Sequence, residues 1–234
     1  MKTVIITGTS SGLGKALFDY ITSKSVRLIC IARRFLPYQE AIAKDKGVLI
    51  QLIKQDLAYA DEQFLASLLS TSQSTDAEEV FFINNAGMID PIGDIGILDD
   101  KTLIKSLNVN FLVPVLLVNN IVKLNKLCGI PVSFINISSG AANHAIIGWG
   151  AYCATKAGSK MFFNVLQEQY KDSGIVNVYN IDPGVLDTRM QSKIRNANKE
   201  SFPQLEYFKD LANAEKLKHP SDVAKWITEE YIGL

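Results

Sequence analysis

The chain contains 234 residues, of which 47% are hydrophobic and 21% charged, proportions typical of a globular protein with a sizeable core. Lys plus Arg and Asp plus Glu each total 24, so the net charge is zero and no basic surplus indicates a nucleic-acid or acidic-membrane partner. With only His144 and His219 and three scattered cysteines, we expect no metal site and a cytoplasmic, reducing compartment. The N-terminus does not resemble a signal peptide, and apolar runs such as FLVPVLLV are too short to span a bilayer.

Short apolar runs alternate with helix-length segments along the whole chain. The runs predict strands at residues 3–7, 26–32, 48–53, 79–85, 131–138 and 176–181. Helices are predicted at residues 12–24, 37–46, 61–72, 99–124 and 151–171, with a further helix from about Ser221. The runs are continuous rather than alternating, which is typical of strands covered on both faces. We therefore predict an α/β fold in one domain, residues 1–234: a doubly wound, Rossmann-like parallel β-sheet flanked by helices on both faces.

The stretch from residue 186 to residue 219 lacks a regular pattern and is too long for a simple connection. In compact domains such stretches usually form lids or binding loops. We predict a lid or binding loop here, built partly from short helices.

A glycine-rich loop, TGTSSGLG (7–14), follows the first strand and opens the first helix. Gly8 permits a tight turn, Gly12 a close approach to a ligand, and Gly14 tight packing of the helix. The helix N-terminus presents unpaired N–H groups to a pyrophosphate, although a glycine-rich turn that binds nothing is the alternative. The predicted dinucleotide contacts are Gly8, Ser10, Ser11, Gly12, Leu13 and Gly14.

The end of the second strand indicates which dinucleotide is bound. NAD-binding domains carry an acidic residue there for the ribose 2′-hydroxyl, whereas this chain has Arg33 and Arg34. Two guanidiniums suit a 2′-phosphate, so the sequence favours NADP over NAD, unless the pair is only a solvated loop. After the third strand, Asp56 and Leu57 are predicted to contact the adenine, with an ordinary loop aspartate as the alternative.

Tyr152 and Lys156 stand four residues apart in GAYCATKAG. On a helix this spacing places both side chains on one face. An ammonium beside a phenol lowers the pKa of the phenol, so the pair is predicted to move a proton. Two unrelated polar residues at a helix start are the alternative.

Five motifs together resemble the short-chain dehydrogenase/reductase family: TGTSSGLG, NNAG (84–87), ISSG (137–140), YCATK (152–156) and DPGVLDT (182–188). They occur in the order and spacing of the family and extend through almost the whole chain. The resemblance implies hydride transfer between a nicotinamide cofactor, here NADPH/NADP, and a carbonyl. It further implies cofactor contacts at Asn85, Ala86, Gly87, Tyr152, Lys156, Pro183, Gly184, Val185 and Thr188; for Thr188 a helix cap is the alternative.

The resemblance implies four catalytic residues, Ser139, Tyr152, Lys156 and Asn110, with Asn108 as the alternative to Asn110. A carbonyl gains negative charge on oxygen as hydride arrives, so hydroxyl donors aimed at that oxygen stabilise the transition state. Ser139 and Tyr152 would be those donors. Pro114 is expected to loosen the helix backbone at Asn110, four residues before it.

Several details resemble the branch of sepiapterin and benzil reductases: Gly148 and Trp149, then Cys153, and the segments 186–191 and 206–217. Members of that branch are NADPH-dependent reductases of carbonyls, often diketones. An aromatic pocket for flat ketones is predicted from Ala141, Ile147, Trp149, Met190, Phe202 and Tyr207. The alternative is that these aromatic residues are core anchors of the long loop.

The chain departs from the family at its end, because it stops at Leu234 where relatives continue into a last edge strand. We therefore expect that strand to be missing, and no residue matches the acid that holds the pterin in sepiapterin reductases. A homodimer through residues 99–124 and 151–171 is predicted.

Two alternative functions remain open at this point. One is an NAD(P)-dependent alcohol or hydroxysteroid dehydrogenase, because Ser11 stands where many NADP-preferring relatives carry a basic residue. Lys15 is a candidate to compensate for that difference. The other is a non-catalytic NADP-sensing protein, which would predict a damaged catalytic set.

Overall fold

The computed structural model describes residues 1–45, 47, 49–61, 63–65 and 77–234. Six parallel strands form one sheet in the order β3-β2-β1-β4-β5-β6, the order of a doubly wound Rossmann fold. The strands are β1 (Lys2–Thr7), β2 (Arg27–Ala32), β3 (Leu49–Lys54), β4 (Glu79–Asn84), β5 (Val132–Ile137) and β6 (Val176–Ile181). The predicted fold class is confirmed, and within the described residues β6 is the edge strand on its side.

Eight helices accompany the sheet in the described part of the chain: α1 (Gly12–Ile21), α2 (Pro37–Ala43), α3 (Asp100–Leu107), α4 (Val113–Cys128), α5 (Gly150–Tyr170), α6 (Arg189–Arg195), α7 (Leu205–Asn213) and α8 (Pro220–Ile227). A π-turn, Asn108–Leu112, joins α3 to α4. The predicted lid, residues 186–219, contains the short helices α6 and α7. Most of the helix predicted at 61–72 lies outside the described residues.

The two faces of the sheet are covered by different helices. On one face, Leu17 and Phe18 of α1 and Ile227 of α8 pack against Val4 and Ile6. On the other face, a cluster around the central strands combines Ile5, Phe82 and Phe134 with Leu117 and Val118 of α4 and Phe163 of α5. Successive residues of β1 therefore serve opposite cores, which explains the continuous apolar runs in the sequence.

One helical segment within the described residues, Asp100–Leu124, is long and apolar enough to cross a membrane by length and composition. The expectation that no apolar stretch reaches this length is therefore wrong, because α3, the π-turn and α4 form one continuous helical segment. Core helices pass the same test, and here Val113, Leu117 and Ile121 pack against the sheet. Only 33% of its most apolar window is buried, which leaves apolar side chains on the outer side.

Gly14 allows the first turn of α1 to pack directly on the strand ends. A Cβ at this position would lie 2.1 Å from the carbonyl oxygen of Gly8 and 2.4 Å from Nδ2 of Asn85. Neither distance is compatible with a side chain, so only glycine permits this packing.

Replacing Gly14 with alanine is expected to reduce the free energy of unfolding by about 3 kcal/mol, because the added methyl group forces backbone apart. Gly158→Ala on α5 is the matched control, since its Cβ would meet only the ring of Phe111, at 3.2 Å. That variant should change stability by less than about 1 kcal/mol, as helix propensity offsets the contact. Urea unfolding followed by circular dichroism measures both, and equal effects would contradict the packing argument.

Candidate active site

The hydroxyl of Thr7 joins the carboxyl ends of β1 and β4. Its oxygen accepts hydrogen bonds from the backbone N–H groups of Asn85 and Ala86, both at 3.0 Å. The Asn85 side chain donates to the Thr7 carbonyl at 2.8 Å. The strand order reverses between these two strands, and open α/β sheets bind their ligands at such a point.

The glycine loop and the DPGVLDT segment lie against each other at this edge. A Cβ at Gly12 would lie 3.2 Å from Cγ2 of Thr188, which also caps α6 through a hydrogen bond from the Gln191 N–H. The cap predicted as an alternative role for Thr188 is therefore present. Ser11 precedes α1 without a side-chain cap bond, so the first N–H groups of that helix point towards the loop. The same two segments contain the other residues predicted there to contact the cofactor: Gly8, Ser10, Leu13, Pro183, Gly184 and Val185.

Arg33 and Arg34 are exposed directly after β2. Among the described residues no ion pair joins either guanidinium to a carboxylate. Lys15, in contrast, pairs with Asp19 at 2.6 Å, and that hydrogen bond raises the pKa of the lysine. Lys15 is therefore engaged on its own helix, whereas the two arginines remain available for an anion.

Asp56 takes the local role given as its alternative. Its carboxylate accepts from the N–H of Ala58 at 3.0 Å, which forms the turn that contains buried Leu57. The side chain of Asn108 donates to the Ala58 carbonyl at 3.0 Å. Asn108 is thus directed towards this turn, and the structure does not bring it to the Tyr152–Lys156 pair.

Tyr152 and Lys156 lie on the inner side of α5 and are both buried. The Lys156 Nζ is 5.8 Å from the centre of the Tyr152 ring and donates to the carbonyl of Ile137 at 2.8 Å. The Ser139 hydroxyl lies close enough to Tyr152 to lower the pKa of the phenol. The structure therefore brings together three of the four predicted catalytic residues at the carboxyl end of β5.

Asn110, the fourth, lies in the π-turn between α3 and α4. Its amide pairs with the backbone of Met88 through two bonds of 2.8 Å, and its Nδ2 donates to Thr155 of α5 at 3.3 Å. A Cβ at Gly87 would lie 3.6 Å from the Asn110 oxygen and 3.9 Å from the Lys156 Nζ, so the two groups are neighbours. Pro114 is expected to loosen the helix backbone at Asn110, and in the structure the backbone there forms this π-turn.

Burial determines the pKa values of the central pair. It raises the pKa of Tyr152 to about 12, with the nearby Ser139 hydroxyl acting in the opposite direction. Burial also lowers the pKa of Lys156 to about 8, partly offset by the negative charge of Asp182. The expectation that Lys156 brings the pKa of Tyr152 towards neutrality is wrong here, because desolvation of the phenolate is the largest influence on that pKa.

The predicted pocket residues separate into two groups. Trp149 stacks on Phe202 with ring centres 5.1 Å apart and contacts Tyr152 edge-on at 5.7 Å, and both residues are buried. They take the role given as their alternative, that of core anchors, and they support Tyr152. Ile147 and Tyr207 are 65% and 57% exposed and Met190 is half-buried, whereas Ala141 is buried beside Tyr152.

Sequence reasoning missed two features of this edge. Ile95 is 86% exposed, yet its side chain would lie 3.2 Å from a Cβ at Gly150, at the start of the catalytic helix. Asp90, in the same loop after β4, forms an ion pair with Lys193 of α6 and so attaches the lid. The signal was the run MIDPIGDIGIL directly after NNAG, where apolar side chains have no partner in the periodic pattern.

A row of asparagine amides crosses the ends of three strands. Asn84 donates to Asn136 at 2.9 Å, Asn136 donates to Asn180 at 2.7 Å, and Asn180 donates to Asn164 of α5 at 2.8 Å. In the sequence the row is visible as an asparagine at corresponding positions of β4, β5 and β6. The strand prediction, which rests on apolar residues, does not use this pattern. The row fixes the register of the strand ends beside the site.

Comparisons with known proteins agree with this geometry. A family model described as short chain dehydrogenase matches residues 2–199. A benzil reductase ((S)-benzoin forming) from Bacillus cereus is 35% identical over 240 residues, covering 99% of this chain and 96% of its own. A sepiapterin reductase from Rattus norvegicus is 29% identical, covering 83% of this chain and 78% of its own. The crystal structure of the KRED1-Pglu enzyme superposes with a TM-score of 0.81 at 23% identity, covering 96% of this chain and 92% of that one, and so shows the same fold.

The chain therefore belongs to the short-chain dehydrogenase family and is an oxidoreductase. As its motifs imply, it takes a nicotinamide cofactor. Within the family it is similar to the benzil and sepiapterin reductases.

Proposed function

We propose that this protein is an NADPH-dependent carbonyl reductase that acts on aromatic ketones or diketones, with Tyr152 as the general acid. The observation that carries the proposal is the buried pair of Tyr152 and Lys156 beside Ser139, with the Lys156 Nζ 5.8 Å from the centre of the Tyr152 ring. The similarity to a benzil reductase over nearly the whole chain supports a diketone as the substrate.

The residues at the switch point fit a dinucleotide. The uncapped start of α1 offers N–H groups to a pyrophosphate, and the backbone of Gly8 and Gly12 adopts positive φ angles that leave no side chain in the way. Arg33 and Arg34 would hold the 2′-phosphate, and Lys156 the nicotinamide ribose. When bound, the reduced nicotinamide supplies the hydride.

Each catalytic side chain has a distinct task in this proposal. Ser139 and Tyr152 donate hydrogen bonds to the carbonyl oxygen, where negative charge develops. The raised pKa keeps Tyr152 protonated at neutral pH, so its proton is present when the alkoxide, a stronger base, forms. The Lys156 ammonium would return a proton to the phenolate and regain one from solvent, while Asn110, held by the Met88 backbone beside Gly87, would position this end of the site.

Removing the Tyr152 hydroxyl tests the general acid. Tyr152→Phe is expected to lower kcat for benzil by about 100- to 10,000-fold, because the proton donor and one oxyanion donor are lost together. The Kd for NADPH should change less than about threefold, since the ring and its packing remain. NADPH absorbance measures turnover, and NADPH fluorescence measures binding.

Tyr20→Phe is the control for this variant, because it removes only a surface hydroxyl that bonds Glu229. Retained benzil reduction in Tyr152→Phe would contradict the assigned role. Tight NADPH binding by the wild type without turnover of benzil, sepiapterin or any other carbonyl would favour the sensing protein instead.

The preference for NADPH is expected to depend on the arginines after β2. Arg33→Ala should raise the Kd for NADPH by about 10- to 100-fold and leave the Kd for NADH nearly unchanged, because a charge-assisted bond to the 2′-phosphate is lost. The Kd of Arg34→Ala for NADPH measures how much the second guanidinium contributes to binding. Lys24→Ala, at the opposite end of α1, controls for loss of positive charge, and parallel changes for both cofactors would overturn the assignment.

A homodimer through the two long helical segments belongs to the same proposal. A groove of about 350 Å³ lies between α4 and α5, lined in part by Val118, Val122, Phe162, Val165 and Leu166. Exposed apolar side chains continue on both sides of it, at Ile104, Leu107, Leu112 and Met161. A second copy would cover this surface and exclude water from it.

Light scattering is expected to give twice the chain mass for the wild type and a single chain mass for Val165→Glu, since a charge would be buried at the interface. Leu49→Glu, on the exposed edge strand β3, is the matched control and should remain dimeric. A monomeric wild type at micromolar concentration would overturn the proposed dimer.

A further inference from the structure

One carboxylate at the active site has no part in the reaction described so far. Asp182 follows β6 directly, and its Oδ1 accepts a hydrogen bond from the N–H of Gly184 at 3.0 Å. The second oxygen, Oδ2, lies 3.6 Å from the position of a Cβ at Gly140, the residue after Ser139. The carboxylate is thus fixed between the turn that carries Ser139 and the turn after β6.

The negative charge of Asp182 reaches both members of the central pair. It raises the pKa of Tyr152 and that of Lys156, whereas Asp187 in the same loop affects neither. No ion pair neutralises Asp182 among the described residues. The Lys218 Nζ lies near the same turn, because a Cβ at Gly184 would be 3.3 Å from it.

Asp182 is solvent-exposed although Tyr152 and Lys156 are buried. Its charge acts on both of them and its Oδ2 lies beside the turn that carries Ser139, so a carbonyl bound by Ser139 and Tyr152 would lie close to this carboxylate. In a 2-keto acid the carboxylate is attached to the carbonyl carbon, so it would be brought there as well. Like charges at such a distance repel each other strongly where water is partly excluded.

We propose that Asp182 is a specificity-determining residue that selects neutral carbonyl substrates, such as diketones, and rejects 2-keto acids. This inference rests on the carbonyl reduction proposed above. The hydrogen bond to Gly184 gives the residue a structural task as well, but an asparagine would perform that task equally, because its side-chain oxygen can accept the same bond. The charge itself is therefore the part of Asp182 that serves selection.

The experiment compares two substrates of nearly equal size, 1-phenyl-1,2-propanedione and phenylglyoxylate, with NADPH. In Asp182→Asn the ratio of kcat/KM for phenylglyoxylate to that for the dione is expected to rise by about 10- to 100-fold. Asp187→Asn is the matched control and should leave the ratio within about twofold of the wild type.

An unchanged ratio in Asp182→Asn, with the dione still reduced, would overturn the inference and leave the proposed function intact. Failure of the wild type to reduce either compound would overturn both. If the asparagine variant does not fold, Asp182→Ser decides, because its hydroxyl oxygen can accept the Gly184 bond without a charge: the ratio should rise as in the asparagine variant, and an unchanged ratio would overturn the inference.

Discussion

The hydrogen bonds around Thr7 are the constraint on which the rest of the site depends. They hold β1 and β4 together at the point where the strand order reverses. The connections from these strands leave in opposite directions there, so a crevice forms at the carboxyl ends of the strands. Gly14 lets α1 press against the same seam, so the helix start, the NNAG turn and the glycine loop share one small region. Because these contacts join backbone groups to the buried Thr7 hydroxyl and to the part-buried Asn85 amide, the position of the cofactor loop is fixed before any ligand binds.

The fold and the central residues could be predicted from the sequence because each is encoded locally. Continuous apolar runs between helix-length segments determine a parallel sheet, and the spacing of Tyr152 and Lys156 determines that they share a helix face. The π-turn at Asn110 also has a local signal, the proline four residues later. In all these cases a short stretch of chain contains the whole physical cause.

What could not be predicted depends on contacts between distant segments. The pKa of Tyr152 rises because the lid and α5 exclude water, and residue spacing carries no measure of that burial. Trp149 and Phe202 look like pocket residues in the sequence, yet they cover each other's faces once the lid folds over. The role of Asp182 could not be predicted for the same reason, because it depends on the Ser139 turn, which follows the neighbouring strand.

The asparagine row has a consequence for how this edge of the sheet can vary. Three amides of the row donate in the same direction, Asn84 to Asn136, Asn136 to Asn180 and Asn180 to Asn164. Turning one of the inner amides over would set two donors or two acceptors against each other, so their orientations are linked. Loss of Asn136 or Asn180 would break two of these bonds at once. The ends of the three strands are thus coupled through their side chains as well as through the backbone of the sheet.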